Sequence, residues 1–133
     1  MSLFRPQLWR IPTTGEAERR RLPELTATLE TRLKHIARRY PQAVFASSLA
    51  VEDMIITDAI CRLKLPLRII TLDTGKLNPE TAALITAVNV RYQTELEVFH
   101  PDPESARQFE QEFGATAMYD SVELRRRCCH IRK

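Results

Sequence analysis

Cys128 and Cys129 stand side by side in the chain. A disulfide between neighbours strains the geometry of the bond. On a helix the two side chains point about 100° apart, so adjacent thiolates can hold two different irons of one cluster. The pair reads as half of a metal site. Five cations crowd the same segment: Arg125, Arg126, Arg127, Arg132 and Lys133. The run 125–127 is open to three readings: a solvated face, a nucleic-acid patch, or a counter-charge for an anionic cluster and substrate. It is short and lacks interleaved aromatics, which argues against nucleic acid. The remaining cysteine, Cys61, lies between Ile60 and Arg62 and reads as a small buried hydrophobe. His35 and His100 have no companion at metal-ligand spacing, and His130 reads as solvated.

Two polar loops carry a second kind of chemistry. Ser47-Ser48-Leu49-Ala50-Val51-Glu52-Asp53 links an apolar run to a helical pattern. A helix N-terminus offers free N–H groups and a positive dipole end, which favour a phosphate or sulfate. Ser47 and Ser48 add hydroxyl donors. Glu52 and Asp53 would repel a bare anion and better suit ribose or base contacts, or helix capping. A serine-rich turn with ordinary caps remains the plainer reading. The second loop is Leu72-Asp73-Thr74-Gly75. Gly75 permits a positive φ or close approach of a ligand. Asp73 can accept from a sugar hydroxyl or an exocyclic amine, and Thr74 can donate to a phosphate. The plainer reading here is a turn with Asx chemistry.

These loops need elements to hold them. Residues 1–15, with Pro6, Pro12 and Gly15, read as an arm. Leu22, Leu25, Leu29, Leu33, Ile36 and Tyr40 form one apolar helical stripe that Pro41 ends, giving a helix over 16–40. Residues 43–47 read as a buried strand. A largely buried helix follows from Glu52-Asp53 and closes before Pro66. Residues 67–72 and 96–100 are the second and third strands. Between them, Asn78-Pro79-Glu80 caps and starts a helix that runs to about Tyr92. Asp102-Pro103-Glu104 repeats that start, and Gly114 stops the helix. Asp120 and Glu123 have capping-box spacing and open a last helix carrying both cysteines. The order implies an α/β fold, a parallel sheet with helices on both faces and right-handed crossovers. Both polar loops then leave strands at their carboxyl ends, where open sheets bind ligands.

The chain has 133 residues, enough for one domain but not two. Its net charge of +3 is too small to argue for nucleic acid. No apolar run is long enough to span a membrane, and the N-terminus lacks a secretory layout. The cytoplasm is the expected compartment, where cysteines are metal ligands, catalytic groups or core fillers rather than disulfide partners.

Three motifs occur in order: Phe45-Ala46-Ser47-Ser48-Leu49-Ala50-Val51-Glu52-Asp53-Met54, then Thr71-Leu72-Asp73-Thr74-Gly75-Lys76-Leu77-Asn78-Pro79-Glu80-Thr81, then Cys128-Cys129-His130-Ile131-Arg132-Lys133. Together they closely resemble the assimilatory sulfonucleotide reductases, which act on adenylyl sulfate or phosphoadenylyl sulfate. The resemblance runs from about Ala43 to Lys133. It implies an adenine nucleotide α-hydrolase-like, Rossmann-like fold over one nucleotide-binding domain. It implies that Ser47, Ser48, Glu52, Asp53, Leu72, Asp73, Thr74 and Gly75 hold the nucleotide. Paired cysteines mark the branch with a 4Fe-4S cluster, which typically uses adenylyl sulfate. Cys128 and Cys129 would be two of its four ligands, with Lys133 near cluster and substrate. The family reaction attacks the sulfate sulfur with a thiolate, expels AMP and releases sulfite with thioredoxin or glutaredoxin. A homo-oligomer is compatible with the resemblance.

Two departures bear on it. Ala50-Val51 stands where the family often has Gly-Ala, which stiffens the loop. The chain also stops before the family's second cysteine pair, arginine-rich substrate loop and nucleophilic cysteine. An N-terminal portion with no catalytic residue of its own is therefore expected. A phosphoadenylyl-sulfate reductase and a non-catalytic nucleotide-binding module are the alternatives. An ATP pyrophosphatase would usually show a Ser-Gly-Gly-x-Asp-Ser loop, absent here.

Overall fold

The computed structural model describes residues 12–133, so most of the expected arm lies outside the described residues. Among the described residues, five α-helices and three strands follow in the order α1 (Glu16–Arg39), β1 (Val44–Ser47), α2 (Val51–Arg62), β2 (Arg68–Leu72), α3 (Pro79–Tyr92), β3 (Glu97–Phe99), α4 (Pro103–Phe113) and α5 (Val122–Arg132). A short 3₁₀ turn, Ala117–Tyr119, precedes α5. The strands form one parallel sheet in the order β1-β2-β3.

Local chemistry explains most boundaries. Asn78 accepts a hydrogen bond from the Thr81 N–H and Pro79 occupies the first helical turn, as the sequence leads one to expect. Asp102 caps α4 through the Ser105 N–H, and Gly114 ends it at φ +96°. The start of α5 differs from expectation. Ser121, not Asp120, is the cap, accepting from the Leu124 N–H. The 3₁₀ turn draws the Asp120 N–H to the Ala117 carbonyl and holds Asp120 in a helical conformation. Ser121 is the first extended residue after it and takes the role.

Two apolar clusters form. The first joins Leu33 of α1, Ala59 and Ile60 of α2, Ile69 of β2 and Val88 of α3 on one face of the sheet. Fully burying a side chain such as Ile60 contributes about 1.5–3 kcal/mol. The second joins Phe109 of α4, Ala117 of the 3₁₀ turn and Cys128 of α5, with Phe113, Met118 and Ile131 against them.

The sheet is flanked by helices, as expected, though unevenly among the described residues. Val44, Leu72 and Phe99 share its outer face and are 43%, 38% and 50% exposed. The reason is that α4 and α5 bury their apolar sides in each other, and only the end of α5 reaches that face. The α1 stripe is used only in part: Leu33 is buried, whereas Leu22, Leu25 and Tyr40 remain exposed because α1 meets α2 only along its second half. Helix α2 is amphipathic rather than largely buried, with Val51 and Ile55 facing out.

Candidate functional site

β1 ends at Ser47, a buried residue whose carbonyl accepts a hydrogen bond from the Thr71 hydroxyl of β2 at 2.8 Å. The chain then turns through Leu49 at φ +65°. A left-handed conformation is unfavourable for a residue with a Cβ, and burial of the Leu49 side chain offsets it. Nothing in the sequence signals this turn. Ala50 is extended at φ −70°, an ordinary value, so replacing glycine there carries no backbone strain.

Asp53 closes the loop. Its carboxylate accepts from both the N–H and the hydroxyl of Ser48, each at 2.6 Å. The side-chain bond first and the backbone bond second hold its pKa below the ordinary aspartate range. Asp53 thus ties the start of α2 to the loop before it, leaves the N–H groups of the helix's first turn uncapped, and uses the Ser48 hydroxyl within the loop. The Ser47 hydroxyl accepts from the Leu49 N–H and keeps its own proton to donate. Asp53→Ala removes both bonds to Ser48 and should lower stability by about 1 kcal/mol, read as a fall in the urea midpoint. The folded-state pKa is depressed, so this contribution is full above about pH 3.9. It is lost as pH falls through the folded value. Asp53→Asn should remove that acid dependence, which urea midpoints at pH 7 and pH 3 would reveal.

The second loop is held by its own turn chemistry. Asp73 accepts from the Gly75 N–H at 2.9 Å, and the Thr74 hydroxyl accepts from the Lys76 N–H at 3.3 Å. Gly75 sits at φ +74°, which explains the residue type.

A cavity of about 350 Å³ opens between the two loops at the carboxyl ends of β1 and β2. Ser47, Ser48, Asp53, Leu72 and Thr74 line it, and Lys133 closes one side. Its size falls within the range of small-molecule sites. Leu49 of the first loop and strand residues Ala46, Ile70 and Thr71 add to its wall, as do Leu77 and Thr81, which lie outside both loops and were not expected there. Glu52, Asp73 and Gly75 do not line it: Glu52 is exposed on α2, and the other two are bonded to each other within the 73–75 turn. Lys133 also borders a neighbouring cavity over Leu72, Phe99 and His100.

The cysteine helix meets this site through its end. Cys128 is buried in the second apolar cluster, while Cys129 is exposed. Neither lines the cavity. Among the described residues no three potential ligands gather as a metal site. Two thiols supply half of a four-thiolate set, and one of them is packed against Phe109 and Ala117. The described residues therefore do not fit a 4Fe-4S cluster by themselves. Cys61 is half-buried rather than buried, and burial, the largest effect, raises its thiol pKa. It is not primed as a nucleophile. The arginine run is partly structural: Arg125 donates to the Met118 carbonyl, and Arg127 stacks 4.6 Å from the Phe113 ring.

One further group escaped the sequence reading. Arg132 is buried, and its guanidinium donates to the Thr74 carbonyl at 2.8 Å and to Glu110 at 2.7 Å. Lys76 reaches the same Glu110 oxygen at 2.7 Å. These two cations, Lys76 foremost, hold the Glu110 carboxyl below its ordinary range. Only the Arg132-Lys133 dipeptide hinted at this in the sequence; Glu110 carried no signal.

Residues 42–133 match the phosphoadenosine phosphosulfate reductase domain. The chain belongs to that family. Its fold is the Rossmann-like nucleotide α-hydrolase fold, in keeping with the parallel sheet described above. Among relatives, an adenosine 5'-phosphosulfate reductase of Neisseria meningitidis serogroup A is 45% identical over 134 residues, covering 100% of this chain and 55% of the relative. One from Burkholderia cepacia is 46% identical, covering 84% of this chain and 46% of the relative. One from Allochromatium vinosum is 43% identical, with 86% and 48% covered. The chain spans about half the length of the curated reductases it matches.

Proposed function

We propose that the chain is the nucleotide-binding part of an adenylyl-sulfate reductase, an oxidoreductase of sulfate assimilation, and that adenylyl sulfate occupies the cavity between the two loops. The observation that carries this reading is the cavity itself. It opens at two adjacent strand ends, beside the first turn of α2, with a lysine at its edge. The N–H groups of that turn have no side-chain cap and can meet an anion. The Ser47 hydroxyl is free to donate, and Lys133 supplies a positive charge. Leu49 and Leu77 offer an apolar wall for a base. In this reading residues 43–133 are the binding core and α1 is its N-terminal helix.

In the reaction a thiolate attacks the sulfur of the sulfate group. An S–S bond forms, the bond from sulfur to the phosphate oxygen breaks, and AMP departs with that electron pair. A dithiol such as thioredoxin or glutaredoxin then attacks the resulting thiosulfonate, releases sulfite and becomes a disulfide. This chain's part is to bind and orient the nucleotide and to stabilise charge on the phosphate as it leaves. No described cysteine lines the cavity, so the nucleophile in this reading comes from elsewhere. The same reading places the protein in the cytoplasm, where thiols stay reduced.

The relatives' names favour the nucleotide without a 3′-phosphate. Calorimetric titration with adenylyl sulfate and with phosphoadenylyl sulfate tests the choice. Adenylyl sulfate should bind about tenfold tighter or more, equivalent to about 1.4 kcal/mol. Tighter binding of the 3′-phosphorylated form would reverse the substrate assignment, and binding of neither would remove the nucleotide reading.

A further inference from the structure

Arg132 does not line the nucleotide cavity, yet it is the most buried charged side chain near it. The two apolar clusters have no side chain in common: one lies under the sheet, the other between α4 and α5. What joins the cysteine helix to the nucleotide loop is polar. Arg132 Nη1 holds the Thr74 carbonyl, Nη2 holds Glu110 of α4, and Lys76 beside the loop holds both Glu110 and the Ala115 carbonyl. The space for this guanidinium depends on Gly75, because a Cβ there would lie 3.2 Å from Nη1. The Arg132 Nε is buried with no partner. A cation kept in such a place, with one donor unmet, points to a role beyond stability.

We propose that Arg132 is a positioning residue: it sets the 73–75 loop against the cysteine helix, so that nucleotide affinity depends on a side chain outside the cavity. The inference rests on the nucleotide reading above. It follows that a change at α5 is felt at Thr74, and nucleotide binding is felt in return at α5, because coupling between two sites is reciprocal. Lysine can supply only one of the two directed bonds that arginine makes. Its substitution should therefore give an intermediate result.

The test uses the full chain with adenylyl sulfate as the probe, in three variants. Arg132→Met keeps the stem and removes both bonds, Arg132→Lys keeps the charge, and Glu110→Gln leaves the Thr74 bond in place. The dissociation constant should rise about tenfold in Arg132→Met. It should rise by less in Arg132→Lys and least in Glu110→Gln. Hydrogen exchange should quicken at the Gly75 and Lys76 amides in Arg132→Met while Ile60 and Val88 keep their protection. A purely structural role would instead lower protection in both regions together, with no rescue by lysine, and that result overturns the proposal. So does an unchanged affinity in Arg132→Met. If the unaltered chain binds no nucleotide while Arg132→Met still frees the loop amides, the nucleotide reading fails and the positioning of the loop by Arg132 is upheld.

Discussion

Gly75→Val is expected to weaken adenylyl sulfate binding by about tenfold or more, one of the largest effects of any single substitution at this site. Two costs combine. The backbone at φ +74° is a left-handed conformation that a residue with a Cβ adopts at about 1–2 kcal/mol. The added Cβ would also stand 3.2 Å from the Arg132 guanidinium, which must shift and loosen its bond to the Thr74 carbonyl. Each 1.4 kcal/mol corresponds to about a factor of ten in affinity. Gly75→Asn separates the two causes, because asparagine tolerates left-handed backbone but is bulky. A small effect of Asn beside a large effect of Val assigns the loss to the backbone. Equal losses assign it to the crowding of Arg132. Unchanged affinity in both variants would mean that the loop does not hold the nucleotide.

Phe109→Ala should have the largest effect on stability, about 3–5 kcal/mol, and should expose a thiol. Phe109 is 5% exposed and packs with Cys128 and Ala117, with the Phe113 ring 5.1 Å from its own. The loss is large against the 5–15 kcal/mol typical of whole domains, from about a fifth to nearly all of it. Phe109→Leu keeps most of the volume and should cost less than about 1.5 kcal/mol. Urea unfolding reads both. In the metal-free native chain, alkylation followed by mass spectrometry should label Cys129 readily and Cys128 slowly. The Phe109→Ala variant should let Cys128 react as its cluster opens. Equal labelling of the two cysteines in the unaltered chain would contradict the packing of α5.

The helix starts at Asn78 and Asp102 were legible because a cap and its N–H partner lie three residues apart. Gly75 and Gly114 were legible because only certain residue types accept positive φ. The cap of α5 was misplaced by one residue, since the 3₁₀ turn before it has no strong local signature. Leu49 was missed for a related reason: its left-handed turn is held by burial of the side chain, not by the backbone preference of leucine. At the site, Ser47, Asp53 and Thr74 belong to the two loops read in the sequence and line the cavity, whereas Glu52, Asp73 and Gly75 of the same loops do not line it. A motif says which residues share a loop; the turn within the loop says which of them line the cavity.

The sequence by itself determined the order of helices and strands, the two loops at strand ends, and the family, through motifs read over a few residues at a time. The tertiary structure alone decided three things: which face of the sheet is the more closely packed, that Cys128 is buried while Cys129 is exposed, and that Arg132 reaches Thr74 and Glu110. The physical reason is range. Caps and turns are settled within about four residues by backbone hydrogen bonding. Arg132 meets partners 58 and 22 positions away, and those meetings depend on how α4 and α5 bury their apolar sides in one another.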